Sequence, residues 1–200
     1  MKDEDLKNIV FEMLKKYDGM KLNIMVAGGS IQNLLNNDQI SKLETSLWSV
    51  FYSDERITEN LTETNYFISK PFLSKLHPDA TIYKINAMEN SCIDDYNELL
   101  IHNKMDICLL GVGDDGHIAS ISPEINSKFN EKTYFTSNLF NVSPRRRLTI
   151  TTKFLNEMVK NSIIFLIPTK LGKIKKIEGP SAFLTNRIVI PMEIYKSDQK

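Results

Sequence analysis

Cysteine is scarce. Two in 200 residues cannot build a disulfide framework, and Cys92 and Cys108 form no CxxC pair that could start a zinc site. Cys108 lies in the apolar run Ile107–Leu110, where a buried thiol is expected, and a reducing cytoplasm is the compartment that suits it. Charge of one sign is missing too: 25 Lys+Arg stand against 25 Asp+Glu, so the basic excess of a nucleic-acid binder is absent. No apolar run nears the roughly 18 residues of a membrane span. The opening MKDEDLKN is too acidic and polar for a secretory signal. Three scattered histidines, with neither HxH nor HExxH, argue against a metal site. No GxSxG elbow marks a serine hydrolase, and nucleotide binding is not expected.

What is present is an alternating rhythm. Leu6, Ile9, Val10, Met13 and Leu14 have helical spacing within residues 4–17. Short apolar runs follow at 22–27, 47–52, 81–85, 105–110 and 162–167, with helix-like segments at 31–36, 62–73, 91–103, 153–160 and 170–178. Alternation of this kind predicts an α/β fold with a mainly parallel sheet, and runs apolar on both faces require helices on both sides. Residues 134–136 and 147–152 suggest a local antiparallel piece, and 187–190 and 193–195 could close the sheet edge. No linker divides the chain, so one domain over 1–200 is expected.

Three polar motifs follow directly on predicted strands, at the edge where open α/β sheets bind ligands. Gly28-Gly29-Ser30 is either a plain tight turn or a phosphate cradle, with Ser30 as hydroxyl donor or helix cap. Asp54-Glu55-Arg56 is either a solvated charged loop or an arginine that forks onto a phosphate, with an aspartate to orient it or a histidine. The segment Gly111-Val112-Gly113-Asp114-Asp115-Gly116-His117 carries most information. Its glycines permit turns that expose backbone N–H groups to an anion, His117 suits proton transfer near neutrality, and Asp115 could fix its tautomer. His77 before Pro78 reads as loop punctuation and His102 as a cation late in a helix. Arg145-Arg146-Arg147 is a surface patch or a dianion clamp, and strand alternation allows only one of Arg146 and Arg147 to face a cleft. Among Lys170, Lys173, Lys175 and Lys176, one facing inward suffices for phosphate.

Taken in order, these motifs resemble the 6-phosphogluconolactonase family over about residues 22–184. Gly28-Gly29-Ser30 resembles its GGSTP turn. Phe51–Arg56, with Thr64-Asn65-Tyr66 after it, resembles FxGDER and a DSNY-like stretch. Leu109–Pro123 resembles LLGMGPDGHTASLFP, the longest and most specific match. Pro144–Thr149 resembles PPxRRIT, Gly172-Lys173 the GEGK turn, and Pro180-Ser181-Ala182 a late PAA element.

The resemblance implies a modified Rossmann-like sheet, similar to the fold of glucosamine-6-phosphate deaminases and ribose-5-phosphate isomerases. It implies hydrolysis of 6-phospho-D-glucono-1,5-lactone to 6-phosphogluconate in the oxidative pentose phosphate pathway. His117 would act as general base on water, Asp115 would orient it and Asp54 would hold the charged network. Arg56 would hold substrate or oxyanion. Gly28, Gly29, Ser30, Gly113, Gly116, Arg146 or Arg147, and Lys173 would bind substrate and phosphate. No metal or organic cofactor is implied. The partner is a small sugar-phosphate lactone, with neither nucleic acid nor membrane, for a monomer or weak homodimer in the cytoplasm. Departures are Ile31 and Ile118 in place of threonines, Asp114 in place of proline, Lys170-Leu171 in place of Gly-Glu, and no WxxD match within 190–200. They imply retained activity with weakened or altered phosphate binding. The alternatives are a glucosamine-6-phosphate deaminase or isomerase, since Gly116-His117-Ile118-Ala119 fits that version too, and a catalytically silent sugar-phosphate binding module.

Overall fold

The computed structural model of the protein describes residues 3–113, 115–122, 133–139, 143–166 and 187–191. In chain order the helices are α1 (Asp3–Lys15), α2 (Ser30–Leu35), α3 (Asn65–Ile68), α4 (Lys70–Leu73), α5 (Cys92–His102) and α6 (Thr152–Glu157). The strands are β1 (Leu22–Val26), β2 (Trp48–Tyr52), β3 (Asp54–Arg56), β4 (Thr81–Tyr83), β5 (Met105–Gly111), β6 (Phe135–Leu139), β7 (Arg146–Ile150), β8 (Val159–Leu166) and β9 (Arg187–Pro191).

Six strands form one parallel sheet in the order β4-β2-β1-β5-β8-β9. All five residues of β1 are buried. Successive side chains on a strand point to opposite faces, so both faces of the sheet centre are covered. Leu22, Ile24, Met25, Val50 and Phe51 are fully buried there. Each such side chain contributes about 1.5–3 kcal/mol over the exposed state. Leu6, Val10 and Leu14 repeat at intervals of four and bury one face of α1 against the same core.

The strand order locates the ligand edge. The chain builds outward from β1 to β2 and β4, then returns to lay β5 on the other side of β1. Connections leaving the C-terminal ends of β1 and β5 therefore diverge and open a crevice between them. Ser53 then turns the chain into a second layer. Its N–H donates to the Val26 carbonyl of the parallel sheet (3.0 Å), while its own carbonyl accepts from Ile150 N–H (2.8 Å). From that residue the chain enters a three-stranded antiparallel sheet, β3-β7-β6.

Three expectations change. Asp54–Arg56 is a strand and not a loop, because β7 supplies its backbone partners. The segment 62–73 is not one helix. Leu61–Glu63 is a 3₁₀ turn, the Thr64 hydroxyl caps α3 by accepting from Phe67 N–H (3.1 Å), and Pro71 lies in the first turn of α4, the part of a helix that needs no N–H. The helix expected over 153–160 ends at Glu157, because β8 already begins at Val159, paired with Met105. The antiparallel pairing of 134–136 with 147–152 is present as β6 and β7, and β9 lies at the sheet edge. The segments expected at 170–178 and 193–195 lie outside the described residues. Among the described residues no helix is long and apolar enough to cross a membrane.

Candidate active site

A cleft of about 320 Å³ opens at the crevice between β1 and β5. Gly28, Gly29 and Ser30 line it from the end of β1, Asp54 and Arg56 from β3, Arg147 from β7, and Gly111, Gly113, His117 and Ser120 from the segment after β5. Residues scattered over 120 positions thus meet at one sheet edge because the two layers join at Ser53.

His117 sits on a closed turn. Its carbonyl accepts from Gly113 N–H (2.8 Å), and Gly116 N–H, at a φ of 88°, donates back to the Gly113 carbonyl (3.1 Å). Asp115 accepts both from the His117 backbone N–H (3.1 Å) and from ring Nδ1. With Nδ1 donating to Asp115, the neutral tautomer of the ring carries its lone pair on Nε2. Partial burial would raise the Asp115 carboxyl, but the His117 N–H and imidazole it serves hold it below its ordinary value. Gly113 is dictated by contact: a Cβ there would lie 1.9 Å from His117 Cε1 and 2.0 Å from Nδ1. The imidazole rests where a side chain would be.

The opposite wall is cationic. Arg56 and Arg147 are direct cross-strand partners in the β3–β7 register. Like charges so placed repel. Burial pushes the Arg147 guanidinium below its ordinary value, and Arg56 lowers it further. Arg56 donates to the Glu63 carbonyl, and its Nε is buried with no hydrogen-bond partner among the described residues. Arg147, 6% exposed, faces the cleft, while Arg146 is exposed and lies across from Leu139 at the start of β7. One-residue alternation separates them.

The other two acids near the cleft, Asp54 and Glu55, are each held by close donors. Asp54 Oδ1 accepts from the Ser53 hydroxyl (3.1 Å) and Oδ2 from the Ser120 hydroxyl (2.8 Å), so its carboxylate holds hydroxyls rather than the imidazole. Glu55 is buried. Its carboxylate accepts from the N–H groups of Arg56 (2.7 Å), Asn65 (2.6 Å) and Tyr66 (3.0 Å). Desolvation raises its pKa, against the pull of those three donors. It fixes the start of α3 against β3.

Of the residues singled out from the sequence, Gly28, Gly29, Ser30, Asp54, Arg56, Gly113, His117 and Arg147 line the cleft. Asp115 reaches it through His117, Gly116 shapes the turn, and Arg146 stays outside. Lys173, with Asp114, Lys170 and Pro180–Ala182, lies outside the described residues. Ile31 and Ile118, the two threonine departures, are buried in the core and remove no hydroxyl from the cleft wall. Gly111, Gly113 and Gly116 do keep the G-x-G-x-x-G spacing of a dinucleotide-binding turn. Within the described residues, however, they lead to a turn at Ile118–Ile121 and not to the helix that spacing needs.

Sequence reasoning missed Ser120 and underused Asn65. Asn65 is fully buried, donates to the Asp54 carbonyl (2.9 Å) and packs its amide on Gly28, where a Cβ would lie 2.0 Å from Oδ1. For Ser120 the available signal was a small polar residue between the apolar Ile118 and Ile121. Among the described residues no group of three His, Cys, Asp or Glu converges to hold a metal ion.

A family model described as glucosamine-6-phosphate isomerases/6-phosphogluconolactonase matches residues 4–177. The Arabidopsis thaliana protein named 6-phosphogluconolactonase 3, chloroplastic, is 27% identical over 182 residues, covering 78% of this chain and 55% of its own length. The Saccharomyces cerevisiae 6-phosphogluconolactonase-like protein 1 is 25% identical over 201 residues, covering 88% and 63%. The chain thus spans 55% to 63% of the length of these two relatives. Among solved structures, 6-phosphogluconolactonase from Plasmodium vivax superposes with a TM-score of 0.77 at 19% identity, covering 97% of this chain and 88% of that one. The Thermotoga maritima enzyme of the same name gives 0.69 at 21% identity, covering 94% and 91%. At such identities these structures speak for the fold.

Proposed function

The chain belongs to the glucosamine-6-phosphate isomerase/6-phosphogluconolactonase family, and from that premise we propose that it hydrolyses 6-phospho-D-glucono-1,5-lactone to 6-phosphogluconate. The observation that carries the reading is one cleft bounded by an aspartate-held imidazole on one side and a cross-strand guanidinium pair on the other.

The chemistry follows from that placement. His117 Nε2 takes a proton from water as its oxygen bonds to lactone C1. The C1–ring-oxygen bond then breaks, and the same nitrogen returns the proton to the departing ring oxygen. The product carboxylic acid ionises to release one proton. Asp115 keeps the ring in the needed tautomer and stabilises the imidazolium formed in passing. General-base help of this kind is worth about 10²–10⁴-fold. Arg147, Ser30 and Lys173 take the phosphate. Arg56 beside Arg147 holds the substrate through the same phosphate, and backbone N–H groups of the glycine turn offset charge developing on the C1 oxygen. An anion between the two arginines relieves their mutual repulsion. Gly28 and Gly29 let the sugar approach the backbone.

No metal or organic cofactor enters this reading, and the partner is the small sugar-phosphate lactone. A single domain over 1–200 belongs to it, because both sheets contribute to one apolar cluster. So does a reducing cytoplasm, which suits the free Cys92 and Cys108.

The test is proton release from freshly made lactone, measured against spontaneous hydrolysis, for wild type and His117→Ala. Acceleration that falls about 10²–10⁴-fold in the variant supports the reading. No acceleration by the wild type defeats it, and ammonia release from glucosamine 6-phosphate would instead assign the family's other reaction.

A further inference from the structure

We propose that Ser120 is the positioning residue that fixes the catalytic imidazole relative to the anion-binding arginines. The inference rests on the lactonase reading and deepens it. The two halves of the cleft come from different layers. His117 is carried on a segment released from β5 of the parallel sheet, whereas Arg56 and Arg147 are carried on β3 and β7 of the antiparallel sheet. Ser120 bonds that segment to all three antiparallel strands. Its hydroxyl donates to Asp54 Oδ2 on β3 (2.8 Å), its N–H donates to Thr149 Oγ1 on β7 (3.2 Å), and its carbonyl accepts from Asn138 Nδ2 on β6 (2.8 Å).

The surroundings make this tie specific. Ser120 is 2% exposed and Asp54 6% exposed, so the hydroxyl–carboxylate bond is shielded from water. Asp54 and Thr149 face each other in the β3–β7 register, so one serine reads both strands at the same level. Arg56 and Arg147 are the pair two residues along on those strands. On the other side, Gly113 N–H donates to the His117 carbonyl, and Ile118 and Ile121 exchange reciprocal backbone bonds. These bonds join His117 to the stretch that carries Ser120, and Ser120 ties that stretch to the antiparallel sheet. Ala119 beside it holds a φ of 51°, the only positive φ of a non-glycine residue among the described residues. Such a conformation persists when both flanks are fixed.

Removing the hydroxyl should let the imidazole drift while the arginines stay in place. Loss then appears in kcat and not in KM, because phosphate binding is untouched while the near-attack geometry is lost. A displacement of about 1 Å costs on the order of 10²-fold.

The experiment compares wild type, Ser120→Ala and Tyr52→Phe. The last removes another buried hydroxyl contact, Tyr52 to Ser69 Oγ (2.6 Å), away from the cleft, and controls for lost stability. Steady-state kinetics are joined by imidazole NMR on ¹⁵N-histidine protein, where His77 and His102 serve as internal references. We expect Ser120→Ala to lower kcat about 10–100-fold with KM within about threefold. It should broaden or split the His117 signals alone, and Tyr52→Phe should do neither at a similar loss of Tm. The inference is overturned if Ser120→Ala keeps wild-type kcat, or if its loss matches that of Tyr52→Phe at equal Tm. An unchanged His117 spectrum in Ser120→Ala overturns it too. A wild type without lactonase activity defeats the functional reading, and the His117 spectrum then still decides the positional inference.

Discussion

Replacing Gly113 by alanine tests the packing of the imidazole with a single methyl group. The added Cβ would stand 1.9 Å from His117 Cε1, 2.0 Å from Nδ1 and 2.6 Å from Nε2. Reaching an ordinary carbon contact of roughly 3.5 Å requires the ring to retreat by about 1.5 Å. The ring has room to do so, since the His117 side chain is 27% exposed, but the retreat breaks its bond to Asp115. Gly113 has no positive φ, so alanine suits the backbone and the change reports on the ring. Near-attack geometry lost by about 1 Å costs on the order of 10²-fold, so kcat should fall about 100-fold. KM should hold within about threefold, because Arg56 and Arg147 are untouched. Combined with His117→Ala the substitution should add nothing further, as both remove the same group. Lactone turnover for the two single variants and the double variant gives the answer, with thermal melts to verify folding. Gly113→Ala with kcat within twofold of wild type would refute the reasoning, since the ring would not then lie over that glycine.

Two further substitutions probe the supports. Gly28→Ala sets a methyl 2.0 Å from Asn65 Oδ1, and Asn65 cannot retreat because its side chain is fully buried and bonded to the Asp54 carbonyl. Overpacking of this kind costs about 1–3 kcal/mol, so the thermal midpoint should drop by several degrees, and a wild-type melt would count against the contact. Asp115 is held below its ordinary value of 3.8 in the folded protein, despite partial burial. Its contribution to stability is therefore fully present above that value and is lost as pH falls through the lower folded value. The stability gap between wild type and Asp115→Asn should accordingly close as pH falls into strong acid. Denaturation curves across that range measure it, and a gap that persists in acid contradicts the assignment.

The sheet was legible because it is built from short apolar runs, and Gly28–Ser30 and Gly111–His117 were legible because they interrupt those runs at one edge. Alternation already separated Arg146 from Arg147 without saying which faced inward. That choice needed the register of β7 on β3, a long-range pairing that local pattern does not encode. The same pairing hid β3 itself. Asp54-Glu55-Arg56 looks like solvated loop until β7, Ser120 and Asn65 supply partners for buried charge. The partners of Asp54 were hidden for the same reason, being hydroxyls that lie 66 residues away for Ser120 and next door for Ser53. Gly113 was visible as a glycine, but its cause, a ring four residues on, appears only when the turn closes. Ile31 and Ile118 read as lost threonines in sequence, while their side chains point into the core and leave the cleft wall intact.

A crystal structure with the product 6-phosphogluconate bound tests the central claim most directly. The account predicts the phosphate against Arg56 and Arg147, with the C1 carboxylate within hydrogen-bond distance of His117 Nε2. A product whose phosphate sits away from both guanidinium groups, or whose C1 lies far from that imidazole, would contradict it.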